Sequence, residues 1–231
     1  MSPLHTDKQY ESDLSRLRER LLLMGAKVEG MIVDAHRALV ERNDELAKEV
    51  IARDEEIDHL EIEIDDLALQ MLALRQPAAS DLRFITLAMK IVTDLERIGD
   101  LATNIAERAQ ELIAEPQIKP YVDVQRLMSA VRTMLRDALD SFVARDTRRA
   151  EELRARDREV DTLYKELLRE LIGLMKEDAA NIERAVRLMF VGKSLERISD
   201  HATNLSEAVV FMVQGRDIRH TPKEPTSEVK I

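Results

Sequence analysis

Residues 94–107 read DLERIGDLATNIAE, and residues 194–207 read SLERISDHATNLSE. The two stretches lie one hundred positions apart and keep Glu, Asp, Asn and Glu at the same spacing, which marks an internal duplication. Two further pairs extend it. MIVDAHRALVERND at 31–44 aligns with MLRDALDSFVARDT at 134–147, and RDEEID at 53–58 aligns with RDREVD at 156–161, both at an offset of 103. The three-residue difference between the two offsets is a loop-sized change between the second and third segment of the later copy. Each copy is therefore a unit of about one hundred residues.

Within each unit apolar residues recur at steps of three and four, the signature of helices with one buried stripe. The first stripe runs from Leu14 through Leu21, Val28 and Ala35 to Leu39, and the second from Leu46 through Ile57 and Ile64 to Leu74. The third, from about 79 to 115, includes Ile85, Val92, Leu95, Ile98 and Ile105. Asn43 and Asp44 supply a cap and turn signal between the first two segments. EPQIKP at 115–120 is the best break in the chain, because each of its prolines removes a backbone donor and clashes with a preceding helical turn. Three more helical segments follow, at roughly 121–145, 147–176 and 179–214. The fold class expected is all-α: six long helices in two tandem, repeat-related three-helix bundles, 8–115 and 121–214. Residues 215–231 hold two prolines and no stripe and read as a flexible tail. Side-by-side and end-to-end placement of the bundles both fit this pattern.

Composition agrees with a helical chain. It is 35% charged and only 3% aromatic, with six Gly and six Pro in 231 residues. The absence of Cys excludes disulfides, thiol nucleophiles and thiolate metal sites. A net charge of −10, with no basic run along the sequence, makes nucleic acid an unfavourable partner. The N-terminal MSPLHTDKQYESD lacks the features of a secretory signal, and the longest apolar runs are too short to span a bilayer, so a soluble, intracellular protein is expected.

The polar residues of the repeat carry the functional signal. Glu96 and Asp100 are four apart and share a helix face, which Asn104 and Glu107 continue. Asp54 and Asp58 form a like pair on the second helix. The later copy has Glu196 with Asp200, and Asp157 with Asp161. Asp54, Asp58, Glu61, Asp65, Glu96 and Asp100 each follow a stripe position by one residue, so they flank the apolar seam. If the second and third helices of each unit are neighbours, four carboxylates converge. Like charges at this spacing cost about 0.2–0.5 kcal/mol per pair in an isolated helix, and a bound cation reverses the sign. Carboxylate oxygens suit Mg²⁺, Ca²⁺, Mn²⁺ or iron, and Asn104 and Asn204 are candidate carbonyl donors. One such pair would ordinarily be a solvated helix face; four at equivalent places also fit a surface for a basic partner.

Other repeated residues read more simply. Arg97 with Arg197, and Arg53 with Arg156, suggest ordinary ion pairing. Gly99 and Ser199 suggest close helix approach. Asp34 and Asp137 are second-rank candidates. None of the five histidines is repeated. Glu56 and His59 form one E-x-x-H, but the position equivalent to His59 is Thr162, which disfavours a carboxylate-bridged di-iron enzyme. No Gly-rich phosphate loop is present.

RQPAASDLRFITLAMKIVTDLERIGDLATNIAE at 75–107 resembles the signature of the PhoU family of phosphate-uptake regulators. LLLMGAKVEGMI at 21–32, VIARDEEIDHLE at 50–61 and LERISDHATNLSE at 195–207 resemble its other recurring segments. The resemblance covers about 10–214, in order. It implies two tandem three-helix bundles and a cytoplasmic, non-enzymatic negative regulator of phosphate uptake and of the phosphate-starvation response. It further implies a homodimer that meets the ATPase of a phosphate ABC transporter and a sensor histidine kinase, and reaches the membrane only indirectly or peripherally. The family's E(D)-x-x-x-D motifs, which bind metal clusters in some members, fall on Glu96/Asp100, Asp54/Asp58, Glu196/Asp200 and Asp157/Asp161. The cofactor expected is a multivalent cation: iron, manganese, magnesium or zinc. The rival readings are a carboxylate-bridged metal enzyme and a metal-free helical scaffold.

Overall fold

The structure, a computed structural model, describes residues 3–218. The helices are α1 (Pro3–Glu41), α2 (Asp44–Ala52), α3 (Asp54–Leu74), α4 (Ala79–Ile113), α5 (Val122–Ala144), α6 (Thr147–Glu177) and α7 (Ile182–Gln214). A single 3₁₀ turn, Ala179–Asn181, precedes α7. No strand occurs among the described residues. The chain is all-α, as its periodicity predicts, with one correction. The segment expected as a single second helix is broken at Arg53. No Gly or Pro announces this break. The Arg53 amide is shared between the carbonyls of Glu49 (3.2 Å) and Val50 (3.1 Å), a three-centre bond common at helix ends. Asp54, Glu55 and Glu56 then fill the first turn of α3, where the positive end of the helix dipole favours them. The second copy has Arg158 and Glu159 at the positions of Glu55 and Glu56, and α6 runs unbroken through Arg156.

The turn between first and second helix is built alike in both copies. Arg42 and Arg145 adopt left-handed backbone (φ 55° and 52°). The next amides, of Asn43 and Asp146, bond the carbonyls of Ala38 (2.9 Å) and Ser141 (3.0 Å) in the Schellman pattern. Asn43 and Asp146 then cap the following helices through their side chains. Arg42 also donates to the carbonyls of Ile113 (2.6 Å) and Glu115 (2.7 Å) at the end of α4, which satisfies acceptors that the helix leaves open.

Helices α1–α4 pack on one another, as do α5–α7, and the two groups lie side by side. Helices α4 and α7 form the seam between them, running antiparallel: Asp94 faces His201 and Asn204, while Glu111 and Glu115 face Arg187. Leu95, Ile98, Ala102 and Ile105 of α4, and Leu195, Ile198, Ala202 and Leu205 of α7, are buried in one continuous core. Ile218 is also buried, so the segment after α7 returns to the core beyond Gly215, where the tail was expected to begin. Residues 219–231 of that expected tail lie outside the described residues.

Small residues in α4 and α7 are matched to what faces them. A methyl added to Gly99 would lie 3.2 Å from Ile57; the second copy carries Ser199 there, opposite the smaller Val160 by repeat equivalence. A methyl on Gly192 would lie 2.8 Å from Leu167 and 3.2 Å from the Tyr164 ring. The corresponding residues of the first copy are Val92, Ile64 and Glu61. Tyr164 thus occupies space that only a glycine on α7 leaves open. Gly192→Ala gains up to about 1 kcal/mol of helix propensity and forces Leu167 and Tyr164 to shift, at about 1–3 kcal/mol. The expected net result is a destabilisation of about 1 kcal/mol, measured by urea unfolding.

Candidate functional site

Helix packing brings the predicted carboxylates together. Asp54 and Asp58 lie on α3, and Glu96 and Asp100 on the adjacent α4. Thr103 of α4 donates its hydroxyl to Asp54 across the gap (3.1 Å). The carboxylates feel one another across both helices. Partial burial, Asp100, Asp58 and Glu107 push the Asp54 carboxyl above the usual range, and the Thr103 hydrogen bond opposes them. Glu96 is pushed up to about 7, first by loss of hydration and then by Asp100, Glu61 and Asp58, with Arg97 opposing. Its Oε2 atom is buried and accepts no hydrogen bond, although Arg97 Nε lies 3.3 Å away outside hydrogen-bonding geometry. Glu61 belongs to this cluster too. Its carboxyl is raised by burial and by Asp65, Asp58 and Asp100. The spacing Asp58–Glu61–Asp65 along one flank of the stripe is the sequence signal that places it there.

The second cluster has the same frame and different neighbours. Asp157 and Asp161 lie on α6, and Glu196 and Asp200 on α7. Asp157 is buried. The Asp200 carboxyl is raised by loss of hydration and by Glu196 and Asp157, against Lys193 and His201. Lys193, where the first copy has Thr93, binds Glu196 (2.5 Å) and sits over the Tyr164 ring at 5.9 Å. Arg154, where the first copy has Ile51, lies 3.1 Å from Glu207, both side chains being largely buried. The second cluster therefore carries two internal cations, and the first has Arg97.

Among the described residues, no three His, Asp or Glu side chains close round one point to hold an ion. Internal partners account for this. Arg97 donates to Asp100 (2.9 Å), Thr103 to Asp54, and Lys193 to Glu196. The donor set nevertheless fits a hard cation. It is all carboxylate, it repels itself, and Glu96 Oε2 is buried and accepts no hydrogen bond among the described residues.

Other sequence candidates take different places. Asn104 donates its amide nitrogen to the carbonyl of Asp100 in its own helix (2.9 Å), and Asn204 donates to Asp94 across the seam (3.1 Å). Asp34 pairs with Arg53 (2.7 Å), and Asp137 pairs with Arg149 and Arg156. The repeated Arg53 and Arg156 thus tie the first helix of each bundle to the second, and Asp34 and Asp137 are their anchors. His59 lies exposed, 3.9 Å from Glu55, and His201 faces Asp94 at 2.8 Å.

Comparison with known proteins agrees with this frame. The PhoU domain family model matches residues 21–109 and 124–209, one match per bundle. The phosphate-specific transport system accessory protein PhoU homolog of Pseudomonas putida is 44% identical over 228 residues, covering 98% of this chain and 89% of that one. The crystal structure of PhoU from Pseudomonas aeruginosa superposes with a TM-score of 0.87 at 41% identity, covering 90% of this chain and all of that one. The phosphate transport system regulatory protein PhoU from Streptococcus pneumoniae gives 0.84 at 28% identity, over 90% and 98% of the two chains.

Proposed function

The chain belongs to the PhoU family, whose named members are accessory proteins of phosphate transport and not enzymes, and from that premise we propose that it is a metal-binding negative regulator of phosphate uptake and of the phosphate-starvation response. In this reading it acts in the cytoplasm, as a homodimer, between the ATPase of a phosphate ABC transporter and a sensor histidine kinase. Among the described residues no helix is long and apolar enough to cross a membrane, which is compatible with a peripheral role.

The observation that supports the metal assignment is the meeting of carboxylates from two helices around Glu96 Oε2, buried and accepting no hydrogen bond among the described residues, repeated in frame by the second bundle. Asp54, Asp58, Glu96 and Asp100 would hold a cation in the first cluster, with Glu61 beside them, and Asp157, Asp161, Glu196 and Asp200 in the second. Iron, manganese, magnesium and zinc are the candidates. The bound cation supplies positive charge that offsets carboxylate repulsion. Lys193 and Arg154 already do part of this in the second bundle, so the first cluster is the tighter site.

Two experiments test the reading. Deleting the gene should raise alkaline phosphatase expression in phosphate-rich medium; unaltered repression contradicts the regulatory role. Chelation of metal-loaded protein should lower the melting temperature. A cation at one hundred times its Kd stabilises the fold by about 2.7 kcal/mol, which in a chain of this size is roughly 5–10 °C. No change on chelating protein verified to carry metal would favour the metal-free scaffold.

A further inference from the structure

Duplication gives the α4–α7 seam an approximate two-fold symmetry, with Asp94 facing Asn204 on one side and Ser194 and Asn104 lining the other. Each side opens into a groove, and the two grooves differ in charge. The groove containing Asp94, of about 420 Å³, is also lined by Glu207 and Asp217, with Lys90 as its one cation among the described residues. Its mate, of about 470 Å³, is lined by Arg108 of α4 and by Lys193 and Arg197 of α7, with no carboxylate among its lining residues. Three cations gathered in one groove are unexpected in a chain of net charge −10. The sequence hides them, because Arg108 lies some ninety residues from Lys193 and Arg197.

The cations are held differently. Arg108 is braced by Glu111 on its own helix (2.5 Å), and Lys193 by Glu196. Arg197 is exposed and makes no hydrogen bond or ion pair among the described residues, whereas its repeat mate Arg97 is engaged by Asp100 at 2.9 Å. An uncommitted guanidinium offers a planar fork of donors matched to a phosphate oxygen pair. Beside it, Phe190 is 58% exposed, and the groove is larger than a lone phosphate requires.

We propose that this groove binds a small organic phosphate, its phosphates on Arg197 and Arg108 and a flat ring against Phe190. The inference does not rest on the metal clusters. It is tested by isothermal titration calorimetry on the full chain, stripped of metal and kept at fixed ionic strength, with ATP, pyrophosphate and orthophosphate as probes. ATP is expected to bind more tightly than pyrophosphate, and orthophosphate most weakly. Arg197→Ala should weaken ATP about tenfold or more, the usual worth of a charge-assisted hydrogen bond. Phe190→Ala should weaken ATP and leave pyrophosphate unchanged, and Lys90→Ala in the opposite groove should change neither. Circular dichroism confirms that each variant is folded; all three residues are exposed. Absence of heat with every probe at millimolar concentration, equal affinity for ATP and pyrophosphate, or an unchanged ATP affinity in Arg197→Ala would overturn the proposal. So would a loss in Lys90→Ala as large as that in Arg197→Ala.

Discussion

Glu96→Gln combined with Asp100→Asn stabilises the metal-free protein at pH 8 and flattens the dependence of its stability on pH between 8 and 5.5. Glu96 titrates near 7 in the folded chain, well above the ordinary carboxylate range. A carboxyl raised by folding contributes stability that is fully present below its ordinary pKa and is lost as pH rises through the folded value. The metal-free wild type should therefore gain stability as pH falls from 8 through 7 toward 5.5. The Glu96 side chain is only 13% exposed, so solvent screens little of the effect. A shift of that size corresponds to on the order of 3 kcal/mol, and relaxation around Asp100 and Arg97 lowers the expected gain to about 1–2 kcal/mol. Urea unfolding in chelator at the two pH values measures it. The amide variants preserve volume, so a less stable variant at pH 8 would contradict the picture of a repelling cluster. Added divalent cation should reverse the order, stabilising wild type and leaving the variant unchanged.

The second large effect lies in the other bundle. Arg154→Met should destabilise the fold by about 3–5 kcal/mol, the cost of leaving a buried partner without its counter-charge. The Arg154 and Glu207 side chains are 13% and 9% exposed and lie 3.1 Å apart. Removal of both charges in Arg154→Met with Glu207→Leu should recover most of that loss, since apolar replacement of a buried pair is often close to neutral. Denaturant unfolding distinguishes the cases: a single-variant loss below about 1 kcal/mol, or a double variant as unstable as the single, would show that the pair is not desolvated. The first copy has Ile51 and Glu107 at these positions. There Glu107 adds its charge to the Asp54 environment. The Arg154/Ile51 difference thus leaves Glu207 with an internal counter-charge that Glu107 does not receive from the equivalent position.

Helix existence, the duplication and the pairing of Asp54/Asp58 with Glu96/Asp100 are legible because they follow from spacing along a single helix and from the adjacency of consecutive helices. What escapes the sequence depends on contacts between distant helices or on small local energies. The break at Arg53 has no Gly or Pro to mark it and turns on three acidic residues in a new first turn. Ile218 looks like part of a polar tail until α7 delivers it to the core. Asn104 and Asn204 repeat with the carboxylates, which suggests shared chemistry, yet the antiparallel crossing of α4 and α7 turns Asn204 toward Asp94. The basic groove is the clearest case: its three cations are unremarkable in sequence and become neighbours through that same crossing. Arg53 and Arg156 suggest ordinary ion pairing from sequence, but their partners, Asp34 and Asp137 on the first helix of each bundle, are identified only by the packing.

The central claim is that the first carboxylate cluster holds a multivalent cation. Elemental analysis tests it most directly, on protein loaded with manganese or iron, desalted, and compared with Glu96→Ala combined with Asp100→Ala. The account predicts that wild type retains metal and that the double variant loses the share held by the first cluster while keeping that of the second. Wild type that emerges free of metal after loading, or a double variant that retains as much as wild type, would contradict it.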